Sequence, residues 1–187
     1  MAGVKGIEFM THEDKVQAVR TAAHNVFETM LGTQLLDREP TREADSSVHS
    51  DGVVALIGLA GEWAGTGAFR CSAEMARKVS GLLLMQEFAA VDQEVLDAVG
   101  EITNMILGNV KTVFEETLGP MGLSIPTVIF GRNFTTRSVG RNEWTVVPFE
   151  LDGEVFEIQV SLARQQSTRG RGSGQHERLS TVVSMES

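Results

Sequence analysis

The sequence predicts an α+β fold: two related helix–strand–strand–strand units forming a mostly antiparallel sheet, covered on one face by two long helices. Three observations predict it. A segment recurs, with Val26-Phe27-Glu28-Thr29-Met30-Leu31-Gly32 returning as Val113-Phe114-Glu115-Glu116-Thr117-Leu118-Gly119. Each copy closes a long helical pattern on a glycine, a residue suited to a helix C-terminal stop. Strand-like material follows each copy, and the two helices so marked belong on one face of the sheet that the strands build.

The elements follow in order. After the first helix, strands are expected at 34–39, 52–59 and 62–71. Residues 72–85 read as a shorter helix with Ser72 as N-cap, joining the two units. The second long helix spans 92–118. Strands are then expected at 126–133, 143–149 and 154–163. In the last, Phe156, Ile158, Val160 and Leu162 alternate with Val155, Glu157, Gln159 and Ser161, the period of a half-buried strand. Gly153 suits a tight turn before it. Residues 1–164 form one domain. Residues 165–187, whose first part is rich in Gly, Ser, Gln and Arg without apolar periodicity, are expected to be a disordered tail.

Composition narrows the function. The 187 residues are enough for one domain with a proper core, and the net charge is −9. An acidic domain repels phosphate backbones and anionic lipid, so neither nucleic acid nor a membrane is the expected partner. The single cysteine, Cys71, allows no internal disulfide and reads as a buried thiol. The N-terminal residues lack a signal-peptide apolar run, which leaves a cytoplasmic location as the expectation. His12, His24, His49 and His176 show no metal-ligand spacing. The glycines from Gly58 to Gly67 lack the lysine of a phosphate loop and fit close sheet packing better. Trp63 and Trp144 read as core or sheet-face residues.

The 92–118 helix is the most informative segment. Val95, Val99, Ile102, Ile106, Val110 and Val113 recur at spacings of three and four and form one buried stripe. Asp97, Glu101, Asn104, Gly108, Lys111 and Glu115 lie on the opposite side, facing solvent. Glu101 and Asn104 are separated by a rise of about 4.5 Å, so their side chains can reach one object together. Any amphipathic helix has a polar face, and charge there usually only solvates it. Yet Asn104 is a poor mid-helix residue, and Gly108 costs about 1 kcal/mol relative to alanine. Both choices suit a face on which something docks.

Asp97-Ala-Val-Gly-Glu101-Ile-Thr-Asn104, with Pro126 some twenty residues later, resembles the signature of the CheC/CheX/FliY phosphatase family. Residues 25–32 are also similar to the first helix of CheX-like members, and the resemblance covers about 8–164. Aligning the two copies by their shared Val-Phe-Glu sets Asp14 opposite Glu101 and Gln17 opposite Asn104. The first copy thus departs from the Glu/Asn pair, which favours the CheX-like pattern of one active helix.

The resemblance implies a CheC-like fold and a phosphatase acting on the phosphoaspartate of a CheY-like receiver domain. Asn104 would orient the attacking water, and Glu101 would pair with the receiver's lysine. Asp97, Gly108 and Lys111 would bind the partner, and Pro126 would shape the start of a strand. The expected assembly is a homodimer. No cofactor or metal of its own is implied, only Mg2+ in the receiver. The alternative is a non-catalytic module that binds a receiver or a flagellar-switch protein.

Overall fold

The computed structural model describes residues 10–44, 48–138, 143–165 and 181–185. Helix α1 spans His12–Thr29. Thr11 and Asp14 form a reciprocal capping box at its start, which satisfies backbone donors that have no partner inside the helix. Strands β1 (Leu36–Asp37), β2 (Thr41–Ala44), β3 (Val48–Gly61) and β4 (Trp63–Cys71) follow. Helix α2 is Ala73–Leu84, with Ser72 as N-cap and Met85 closing it in the left-handed conformation. Helix α3 is Gln93–Leu118. Then come β5 (Met121–Leu123), β6 (Thr127–Ser138), β7 (Glu143–Leu151), β8 (Glu154–Arg164) and β9 (Thr181–Met185).

The strands form one antiparallel sheet in the order β1-β7-β8-β4-β3-β6-β9, with β2 also on β7 and β5 also on β3. The order carries the duplication. β4 and β8 pair at the centre, each is flanked by its own hairpin partner, and the short strands cross over. Thus β1 and β2 of the first half pair with β7, whereas β5 and β6 of the second half pair with β3. Each unit therefore has a helix and four strands rather than three. The strands missed, β2 and β5, are four and three residues long, too short for a period of two to register.

One face of the sheet carries the core. Val53, Ala55 and Ile57 of β3, Phe69 of β4, Val147 and Phe149 of β7, and Phe156 and Ile158 of β8 pack against all three helices. Phe156 sits between Phe27 of α1, Phe69 and Phe149, with ring centroids 5.2, 5.2 and 5.5 Å away. Each such burial is worth roughly 1.5–3 kcal/mol. Gly67 lets α3 sit close: a Cβ there would lie 2.4 Å from Leu107 Cδ1. Trp144 is buried and Trp63 is half-buried against the core.

Two expectations change. Thr181–Met185 pairs with β6, so a tail without structure throughout 165–187 does not hold there. The segment Thr-Val-Val-Ser-Met has the β-branched content of a strand. Residues 166–180 and 186–187 lie outside the described residues. Gln159 and Ser161, expected on the solvent side of β8, are buried, because β8 lies in mid-sheet between β7 and β4.

Candidate functional site

Asp92 starts α3 by accepting a hydrogen bond from the Val95 backbone N–H at 3.0 Å, and Gly119 ends the helix with φ +83°. Between these caps Val95, Val99, Ile102, Ile106 and Val110 are buried as the stripe requires. Val113 is not: it is 38% exposed, and Phe114 is buried in its place. The reason is local. Val113 opens onto a cleft of about 580 Å³ between the end of α3 and the start of α1, whose other walls include Asp14 and Gln17.

On the polar face, Asp97 and Glu101 are exposed, while Asn104, Gly108 and Lys111 are half-buried. Asn104, expected to face solvent, is thus partly covered. Asp97 accepts a hydrogen bond from Gln93 Nε2 at 2.7 Å. Lys111 is committed to Glu115, Nζ to Oε2 at 2.8 Å, and Glu115 also accepts the Met121 backbone N–H at 2.8 Å. The Lys111 bond, and then the Met121 bond, hold the Glu115 carboxyl below its usual range. Glu115 thus fastens β5 to the helix, and Lys111, which braces it, reaches a partner only by leaving Glu115.

Glu101 and Asn104 differ from these neighbours. Among the described residues neither side chain has a hydrogen bond or ion pair within the chain. One carboxylate and one amide therefore project from a capped, well-packed helix with their hydrogen-bonding capacity unused.

The glycines separate into two kinds. Gly100 is closely packed: a Cβ there would lie 3.3 Å from Val128 Cγ2 and 3.5 Å from Pro126 Cγ. Pro126 therefore packs against the helix one residue before Glu101, besides leading into β6. Gly108 has room, since an added Cβ would meet only Leu123 Cδ1 at 4.0 Å. Packing within the chain does not explain it.

The first copy is chemically occupied. Asp14 Oδ2 accepts from the Thr11 backbone N–H at 2.7 Å and from Thr11 Oγ1 at 2.6 Å. These bonds, the side-chain one foremost, hold its carboxyl below the usual range. Gln17 Nε2 donates to Thr21 Oγ1 at 3.2 Å. Asp14 thus closes a helix end and Gln17 is held within the helix, whereas Glu101 and Asn104 stand in mid-helix.

His12 bonds Thr145 and His24 bonds Asp37. No group of side chains that could hold a metal ion occurs among the described residues. No helix among them is long and apolar enough to cross a membrane. Sequence reasoning missed the packing of Gly100 against Pro126 and Val128, for which the mid-helix glycine was a signal.

The family model "Chemotaxis phosphatase CheX" matches residues 53–150. The chain is 28% identical over 127 residues to the CheY-P phosphatase CheX of Thermotoga maritima, covering 67% of this chain and 81% of that protein. A putative chemotaxis protein from Desulfovibrio vulgaris Hildenborough superposes with a TM-score of 0.73 at 27% identity, covering 86% of this chain and 100% of that one. A chain of the CheX–CheY–BeF3–Mg2+ complex from Borrelia burgdorferi is similar at a TM-score of 0.66 and 25% identity, covering 80% of this chain and 97% of that one.

Proposed function

The chain belongs to the chemotaxis phosphatase CheX family, and from that membership we propose that it hydrolyses the phosphoaspartate of a CheY-like receiver domain, with Asn104 and Glu101 as the residues that act. The observation that supports the residue assignment is the pair itself: two polar side chains one turn apart, without a partner among the described residues, on a helix held by its caps and its buried stripe.

The chemistry asks little of the protein. An acyl phosphate is already reactive, and the receiver's Mg2+ and lysine offset the charge on the phosphoryl oxygens. What remains is to place a water in line with the bond that breaks, and phosphoryl transfer is catalysed largely by such positioning. The Asn104 amide oxygen can accept a hydrogen bond from one of the water's O–H groups and its N–H can donate to the water oxygen, which fixes the water's orientation. The water oxygen bonds to phosphorus, the aspartate carboxylate leaves, and inorganic phosphate carries away the water's protons. Glu101 pairs with the receiver's lysine and sets the helix in register. Asp97 borders the contact, Gly108 permits close approach, and Lys111 joins it on release from Glu115. In this reading the chain needs no cofactor or metal of its own and acts in the cytoplasm as a homodimer. A light-scattering mass of one chain overturns the dimer.

The test is phosphate release from a phosphorylated receiver. Asn104→Ala is expected to lower the catalysed rate by about two orders of magnitude or more, with the circular dichroism spectrum unchanged. Glu101→Ala is expected to weaken receiver binding about tenfold or more, because it leaves the receiver's lysine without its partner. Hydrolysis by Asn104→Ala at the wild-type rate refutes the assignment.

A further inference from the structure

The segment joining β5 to β6 passes the Glu101/Asn104 pair. Its start, Leu123, lies beside Gly108, and its end, Pro126 with Val128, lies against Gly100. Those two glycines bracket the pair along α3. Gly100 and Asn104 differ by about 40° around the helix axis, so the segment runs along the asparagine's side of the helix.

The segment is held in place. The Ser124 backbone N–H donates to the Gly58 carbonyl at 2.9 Å, and the Gly58 N–H donates to Ser124 Oγ at 2.9 Å. Ser124 Oγ in turn donates to the Ile125 carbonyl at 2.9 Å. On this pinned segment Ile125 is 86% exposed. Two residues beyond Val128, Phe130 is 45% exposed. Phe130 pairs with Val53, whose side chain is in the core beneath the helices, and cross-strand partners share a face. Phe130 therefore emerges on the helix side as well.

A single exposed apolar residue is ordinary. Here two of them stand on the stretch of chain that runs along the asparagine's side of α3, on backbone held by β3. We propose that Ile125 and Phe130 are the apolar docking flank for the receiver domain whose phosphoaspartate Asn104 serves. The inference rests on the phosphatase reading above. Continuity with the pair selects the occupant, since a second copy of this chain seated on the flank would cover Asn104. Because the segment is already fixed, docking orders no loop, and the apolar contact is available as affinity. The flank sets how tightly the receiver is held, and Asn104 sets how fast it reacts.

The experiment uses CheY-type receivers phosphorylated with acetyl phosphate, and the same receivers loaded with beryllofluoride for binding. Ile125→Ser and Phe130→Ser are each expected to raise KM and the beryllofluoride-receiver Kd about tenfold. The expected kcat at saturation stays within about twofold of wild type, which is the signature of lost uniform binding. Ile125→Leu restores wild-type binding. Both side chains are exposed, and unchanged circular dichroism shows that the serine variants fold. Wild-type KM and Kd in both serine variants overturn the flank and leave the phosphatase reading standing. A change of oligomeric state in place of a change in Kd overturns it too, and assigns the flank to a second copy. If the wild-type chain neither binds nor dephosphorylates any receiver, the phosphatase reading fails and the flank fails with it.

Discussion

Gly108 and Gly100 stand eight residues apart on one helix and answer to different forces. Gly100 has Pro126 and Val128 close against it. Gly108 is small although the chain leaves room for a methyl group. Gly108→Ala is therefore expected to stabilise the fold by roughly 0.5–1 kcal/mol, the ordinary gain in an open helix interior. The same change is expected to lower phosphatase efficiency about tenfold, because the added methyl group holds the receiver away from Asn104. Urea denaturation and phosphate release check the two halves. A variant both more stable and fully active removes Gly108 from the docking face. Cys71 is the opposite case, a residue with no part in the chemistry. It is buried, and burial pushes its thiol far above the usual range, so it packs as a small apolar group.

At the scale of the element, α1 and α3 show how one duplicated pattern serves two ends. Asp14 stands three residues after the N-cap, where its carboxylate is drawn back onto Thr11. Glu101 stands nine residues after its own N-cap, Asp92, beyond the reach of any helix end. Position along the helix decides which carboxylate is available. The seating of α3 depends equally on the sheet below it. Gly67→Ala would bring a methyl group to 2.4 Å from Leu107 Cδ1 and 2.7 Å from Cδ2. Leu107 is itself buried, so the helix has to give. A cost of about 1–3 kcal/mol is expected, the usual range for overpacking, read as a lower Tm. An unchanged Tm shows that the contact between α3 and β4 is looser than these distances state.

For the whole molecule, stability couples to pH where α1 meets β7. His12 lies beside Thr145, with ring nitrogen and hydroxyl 3.1 Å apart. Burial lowers its pKa below 6.5, Arg42 and Lys15 act in the same direction, and Glu143 and Glu13 oppose them. The unfolded chain thus takes up a proton near pH 6.5 that the folded chain still refuses. The His12 contribution is complete above that pH and is lost as the pH falls through the lower folded value. The urea midpoint is expected to decline as the pH falls below about 7, and less steeply in His12→Gln. Equal slopes in the two proteins rule out His12 as the source.

Much of this architecture was legible in one sequence. Periods of two and of three to four reflect which side chains avoid water, and that preference is local and strong enough to mark the long helices and the main strands. The caps at Ser72 and Gly119 are equally local, as is the three-residue spacing of Glu101 and Asn104. Tertiary structure decided what depends on residues distant in the chain. It placed β1 and β2 on β7, and β5 and β6 on β3, because short strands are stabilised by their neighbours rather than by their own pattern. It exposed Val113 where the cover from α1 runs out, and it tied Lys111 to Glu115 and through it to β5. It also brought Pro126 onto Gly100 and left Ile125 standing in solvent between Leu123 and Pro126. Periodicity tells which side of an element turns from water; only the packed chain settles what then lies against that side, since contact is a property of two segments and a pattern belongs to one.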